Sequence, residues 1–158
     1  MNQETLQEVL EQCRAEEERL VFPAFNRDTA WRLGCLLLEN SRKKPKPVGI
    51  QIILNEMVIF RYIPEGVTQN NSIWMERKHN MVMIREMSSR QAQVMRELRG
   101  QTMEDWLMDP HEYSPVGGGF PIRVAGTGLI GSVCISGLPA EEDHRLIVET
   151  LTEFLTEK

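Results

Sequence analysis

The chain has 158 residues, a net charge of −5, 41% hydrophobic and 26% charged residues, the profile of one globular domain. The negative charge argues against a general nucleic-acid or anionic-membrane binder. No apolar run approaches the ~20 residues of a membrane span. The polar, acidic opening Met1–Thr5 lacks the basic and apolar regions of a secretory signal, so the expected location is the cytoplasm. Cys13, Cys35 and Cys134 form no CxxC pair, and with three scattered histidines they match no zinc spacing. No metal is expected, and the odd cysteine count fits a reducing compartment.

In chain order, Leu6, Val9, Leu10 and Cys13 recur at helical spacing and predict an amphipathic helix over Glu4–Arg19. Leu20–Phe22 reads as a short strand stopped by Pro23. Asp28 suits the N-cap of a mostly apolar helix from Thr29 to Ser41. The tract Arg42–Pro47 breaks it as a Lys/Pro connector or a basic recognition loop. Val48–Leu54 and Met57–Ile63 predict a hairpin turning at Asn55-Glu56. Asn70, Asn71 or Ser72 can cap a helix over Ile73–Met87. Ser88 with Gln91 is a capping box that opens another, ending at Gly100. His111–Gly119 is loop by composition. Phe120–Ala125 and Leu129–Ile135 predict a second hairpin through Gly126-Thr127-Gly128. Pro139 and the acids Glu141, Glu142 and Asp143 start a last helix whose buried stripe is Ile147, Leu151, Phe154 and Leu155. Two hairpins with segregated helices give an α+β layered domain spanning 1–158.

The run Gly117-Gly118-Gly119-Phe120-Pro121-Ile122, then Gly131-Ser132-Val133-Cys134-Ile135-Ser136-Gly137, then Asp143-His144, resembles the GlcG/HbpS-like family. That family's pattern is a GG(x)-P-(I/V) strand, a tight turn, a G-x-(I/V)-x-(V/I)-SG strand and an acidic helix start. Asp28, Ala30-Trp31, Gly34, Trp74, Arg77-Lys78 and Ser88-Ser89 extend the likeness to a branch of proteins of similar length. The resemblance implies a profilin-like or PAS-like fold with a five-stranded antiparallel sheet and flanking helices, assembled as a homo-oligomer. Some relatives bind heme, and the wider family includes the C-terminal domain of some cobalamin adenosyltransferases. Heme as a cofactor rests on this resemblance alone.

Two features can carry chemistry. Gly117, Gly118 and Gly119 can present backbone N–H groups to a ligand, or let a strand enter under a neighbouring subunit. Trp74, Arg77, Lys78 and Met81 stand at i, i+3, i+4 and i+7, on one helical face. Arg77 and Lys78 would hold a carboxylate or phosphate while Trp74 stacks a planar group, and Arg123 would add a bidentate contact. The alternative is pairing of both cations with Asp or Glu across a subunit interface. His144 is a candidate general base or heme ligand, or a histidine hydrogen-bonded to a loop. His111, with Tyr113 beside it, can reach a pocket from its loop, and His79 is expected on the solvent side. The methionines at 81, 83, 87, 95, 103 and 108 line a pocket or fill core gaps. Ser132 and Ser136 lack a G-x-S-x-G context.

The expected function is therefore binding of a small anionic or planar ligand by a homo-oligomer. An enzyme acting on a small carboxylated or phosphorylated metabolite, with His144 or His111 in acid–base work, is the first rival. An oligomeric interaction or chaperone-like protein is the second.

Overall fold

The computed structural model describes residues 1–157. Five helices and four strands follow in the order α1 (Gln3–Arg19), α2 (Arg27–Ser41), β1 (Gly49–Leu54), β2 (Met57–Tyr62), α3 (Gln69–Arg85), α4 (Ser89–Leu98), β3 (Gly119–Val124), β4 (Gly128–Ser136) and α5 (Ala140–Thr156). The strands form one antiparallel sheet in the order β2-β1-β4-β3.

The α+β class agrees with the sequence, but the sheet has four strands and not five. Leu20–Phe22 supplies a single parallel bridge to Val124. There the Phe22 N–H donates to the Arg123 carbonyl (2.8 Å) and the Ala125 N–H donates to the Phe22 carbonyl (2.9 Å). The segment is squeezed between the end of α1 and Pro23, which has no N–H to extend a ladder.

Caps fix the helix starts a little earlier than the sequence suggests. Asn26 and Thr29 form a reciprocal box at α2, and Thr68 and Asn71 do the same at α3. Each box satisfies two otherwise orphaned N–H donors. At α4 the Ser88 hydroxyl accepts from the Gln91 N–H (3.0 Å). The expected return contact from Gln91 is replaced by Glu17 of α1, whose carboxylate accepts from the Ser88 N–H and hydroxyl, both at 2.9 Å. This ties α1 to α4.

The two sheet faces differ in kind. Toward α2 and α5, Ile50, Ile52, Phe120, Ile122, Val133 and Ile135 join Leu33, Leu37, Ile147 and Leu151 in the main apolar core. Successive strand residues alternate sides, so the opposite face of β4 carries Ser132, Cys134 and Ser136, all buried. Helix α3 packs on that face, contributing Met75, Lys78, His79 and Val82. A buried polar layer therefore lies between α3 and the sheet, and the candidate site is built from it.

Candidate functional site

Helix α3 is rotated by about one residue relative to the face expected from sequence. Its inward stripe is Met75, Lys78, His79 and Val82, with Met81 also buried. Trp74 and Arg77 lie on the outer flank, 36% exposed in the case of Trp74, with the Arg77 guanidinium 5.1 Å from the Trp74 ring centroid. His79, expected in solvent, is buried. Its Nδ1 meets the Ser132 hydroxyl at 2.6 Å and its Nε2 meets a Glu56 carboxylate oxygen at 3.2 Å. The physical reason is the polar face of β4: a helix laid over serines buries its polar residues at no net loss of hydrogen bonds. The alternation Ser132, Cys134, Ser136 was the available signal for this contact.

Lys78 is the centre of the site. Its ammonium donates to the Ile135 carbonyl (2.8 Å) and to Asp143 Oδ2 (3.3 Å), with both side chains almost wholly buried. The carboxylate at the start of α5 thus pairs with Lys78 within one chain. Asp143 Oδ1 also accepts from the Leu138 N–H at 3.0 Å. Burial pushes the Asp143 carboxyl up to about 6, against the opposing pull of Lys78 and the backbone N–H donors of Leu138 and Gly137. A carbon-detected NMR titration of the Asp143 carboxyl is expected to give a midpoint near 6. A midpoint at the ordinary value of about 4 would show that the carboxylate is solvated.

The glycine loop wraps this pair. A Cβ at Gly118, whose φ is +119°, would stand 2.6 Å from the Lys78 Nζ and 2.7 Å from the Ile135 carbonyl oxygen. Only a residue without a side chain fits there. The Gly118 carbonyl accepts from the Ile135 N–H (2.8 Å), and the Gly119 N–H donates to the Ser89 hydroxyl (2.9 Å). Gly117 sits against the Ala140 carbonyl and the Cβ of His144.

Beside the pair opens a cavity of about 270 Å³, lined by Asn70, Asn71, Trp74, Lys78, Ser136 and Asp143 among others. Three candidates from the sequence lie elsewhere. Arg123 is four residues along β3 from Gly119, roughly 13 Å at strand rise. It sits beyond a register irregularity, and its guanidinium contacts Glu17 and the Glu86 carbonyl. His111 is exposed and paired with Asp109, and its carbonyl accepts from the Arg77 Nε–H at 2.9 Å. His144 is buried against α1, its Nε2 3.0 Å from Glu16 Oε1. Burial pushes the Cys134 thiol up to about 11, which leaves it protonated and unreactive in the polar layer.

A family model described as "Haem degrading protein HbpS-like" matches residues 25–152. The chain belongs to the HbpS-like family. It is 40% identical over 151 residues to a UPF0303 protein of Rhizobium etli, covering 96% of this chain and 92% of that one. Among solved structures it is similar to the Ybr137w protein, with a TM-score of 0.84, 28% identity, and coverage of 92% of this chain and 86% of that one. A PduOC:heme complex shares the fold at a TM-score of 0.68 and 18% identity, over 86% of this chain and 96% of that one. The resemblance read from the glycine hairpin is thereby established over most of the chain.

Proposed function

We propose that this HbpS-like chain is a binding protein for a planar, acid-bearing organic ligand, with heme as the first candidate, acting as a cytoplasmic homo-oligomer. The observation that carries the reading is a cavity lined by both the exposed Trp74 and the buried Lys78. Trp74 offers a stacking wall. An ammonium has three donors, and Ile135 and Asp143 take two of those of Lys78. The third, with the amides of Asn70 and Asn71, suits a carboxylate. At about 270 Å³ the cavity holds the acid end of such a ligand, while its plane lies along Trp74. The family description and the heme carried by PduOC support heme within this class. Self-association has its support in the exposed apolar surface of the edge strand β2 and its neighbours, Met57, Val58, Tyr62, Ile63 and Trp31. An edge strand with an apolar flank is a natural contact surface.

A second reading has its own observation. Asp143, with its carboxyl near 6 and facing the cavity, has the properties of a general acid–base group for a small carboxylated or phosphorylated metabolite.

Heme titration is the direct test. Binding is expected to shift the Soret band at micromolar protein, and Trp74→Ala is expected to weaken it about tenfold, ~1.4 kcal/mol. No Soret shift would eliminate heme. Undiminished binding by Trp74→Ala would place the ligand away from this cavity.

A further inference from the structure

We propose that Cys13, Glu16 and His144 form a binding site for a divalent transition-metal ion of the zinc class, held between α1 and α5. The site is independent of the ligand cavity. Cys13 and Glu16 stand three residues apart on α1, so both project toward one side of the helix. His144, in the first turns of α5, meets them there, 128 positions from Glu16 in the sequence. The thiol sulfur, a carboxylate oxygen and a ring nitrogen lie within 4.8 Å of one another, and all three residues are buried. Two residues at i and i+3 on one helix, completed from a facing helix, are a common way for helical proteins to converge on a metal.

The donor set fits that class of ion. Sulfur, imidazole nitrogen and carboxylate oxygen together suit borderline-soft zinc rather than magnesium or calcium, which take oxygen only. Around a tetrahedral ion with metal–ligand bonds of about 2.0–2.3 Å, neighbouring donors stand roughly 3.3–3.8 Å apart. Small side-chain rotations close the remaining gap.

A second observation is independent of the clustering. The Nδ1 of His144 is buried and has no hydrogen-bond partner among the described residues. When Nε2–H donates to Glu16 Oε1, the buried Nδ1 lone pair is left without a partner, an expensive state for a polar group. In the other tautomer a bare Nε2 faces a carboxylate oxygen, and two lone pairs confront each other. In this second tautomer an ion seated between Nε2 and Oε1 replaces that repulsion with two coordination bonds. When the ion binds, the S–metal bond forms, the thiol proton leaves to solvent, and the imidazole binds through a lone pair.

The surroundings support the ligands. Arg145 Nη1 stands 3.4 Å from Glu16 Oε2, which fixes the carboxylate so that Oε1 points at His144, a second-layer contact of the type that orients metal ligands. Beside Glu16 a groove lined by Gln12, Arg19, Arg145 and Thr152 opens to solvent. It reaches Glu16 and so gives an ion a way in from solvent.

Cobalt(II), a spectroscopic substitute for zinc, tests the site on the full-length protein in chelator-free buffer. Titration is expected to give a thiolate-to-cobalt charge-transfer band that saturates at one equivalent per chain and is abolished by added zinc. The band is expected to survive Cys35→Ser, which removes the exposed thiol, and to vanish in Cys13→Ser. Zinc is also expected to raise the Tm of the wild-type protein and of Cys35→Ser, with no rise in His144→Gln. No charge-transfer band in the wild-type protein overturns the proposal. So does a band that persists in Cys13→Ser or disappears in Cys35→Ser, or an equal thermal rise in His144→Gln.

Discussion

Replacing Lys78 by methionine is expected to cost the fold about 3–5 kcal/mol at neutral pH, the range for breaking a buried ion pair by removing one member. The ammonium and Asp143 are 4% and 2% exposed and 3.3 Å apart. Without Lys78 the Asp143 carboxylate would remain in the interior with only backbone N–H donors. The pH dependence has a definite sign. The folded Asp143 carboxyl, near 6, lies above its unfolded value of about 3.9, so in this range the folded state binds more protons than the unfolded one. Its contribution to stability is therefore fully present below about pH 4 and is lost as pH rises through 6. Removing Lys78 takes away a group that lowers this pKa, so the loss extends to higher pH. Urea denaturation is accordingly expected to show a larger penalty for Lys78→Met at pH 8 than at pH 5. The double variant Lys78→Met/Asp143→Leu is expected to recover most of it, since a buried pair replaced by apolar groups is often neutral. A penalty below about 1 kcal/mol, the range of exposed pairs, or one equal at the two pH values, would mean that the pair is not a buried ionic contact.

Gly131→Ala is expected to cost about 3 kcal/mol or more, at the upper end of overpacking penalties. A Cβ there would overlap the Ile53 carbonyl oxygen and lie 2.9 Å from the Ile53 carbonyl carbon and 3.2 Å from the Leu54 Cα. All three are backbone atoms of β1, the strand that pairs with β4 through this position. A side chain could swing aside; a strand held in a ladder cannot. Gly126→Ala, in the turn of the second hairpin, meets nothing within 4 Å and is disfavoured only by its φ of +77°, about 1–2 kcal/mol. Denaturation midpoints of the two variants are expected to differ clearly in that order. Equal midpoints would show that the sheet yields at Gly131.

Much of the fold was legible because it is local. Leu6, Leu10 and Cys13 at helical spacing produced α1, the Asn55-Glu56 turn produced the first hairpin, and Ser88 with Gln91 marked the start of α4. The glycine-rich segment from Gly117 to Gly137 was distinctive enough to show the family. The register of α3 was not legible. Trp74, Arg77, Lys78 and Met81 and the observed Met75, Lys78, His79 and Val82 differ by one residue, and a helix of mixed polarity supports either stripe. The deciding partner, the serine-bearing face of β4, is about fifty residues away and faces α3 only when the sheet is formed. The fifth strand failed for a related reason: Leu20–Phe22 has strand-forming residues but only one neighbour to pair with.

The sequence by itself determined the elements, the α+β class and the family, because spacing, capping and turn chemistry act over a few residues. The tertiary structure alone decided which polar groups meet. Lys78 finds Asp143, His79 finds Ser132, and His144 finds Cys13 and Glu16. A buried polar group is stable only beside its partner, and those partners come together only when α3 and α5 pack on the sheet and α1 meets α5 through Glu16 and His144.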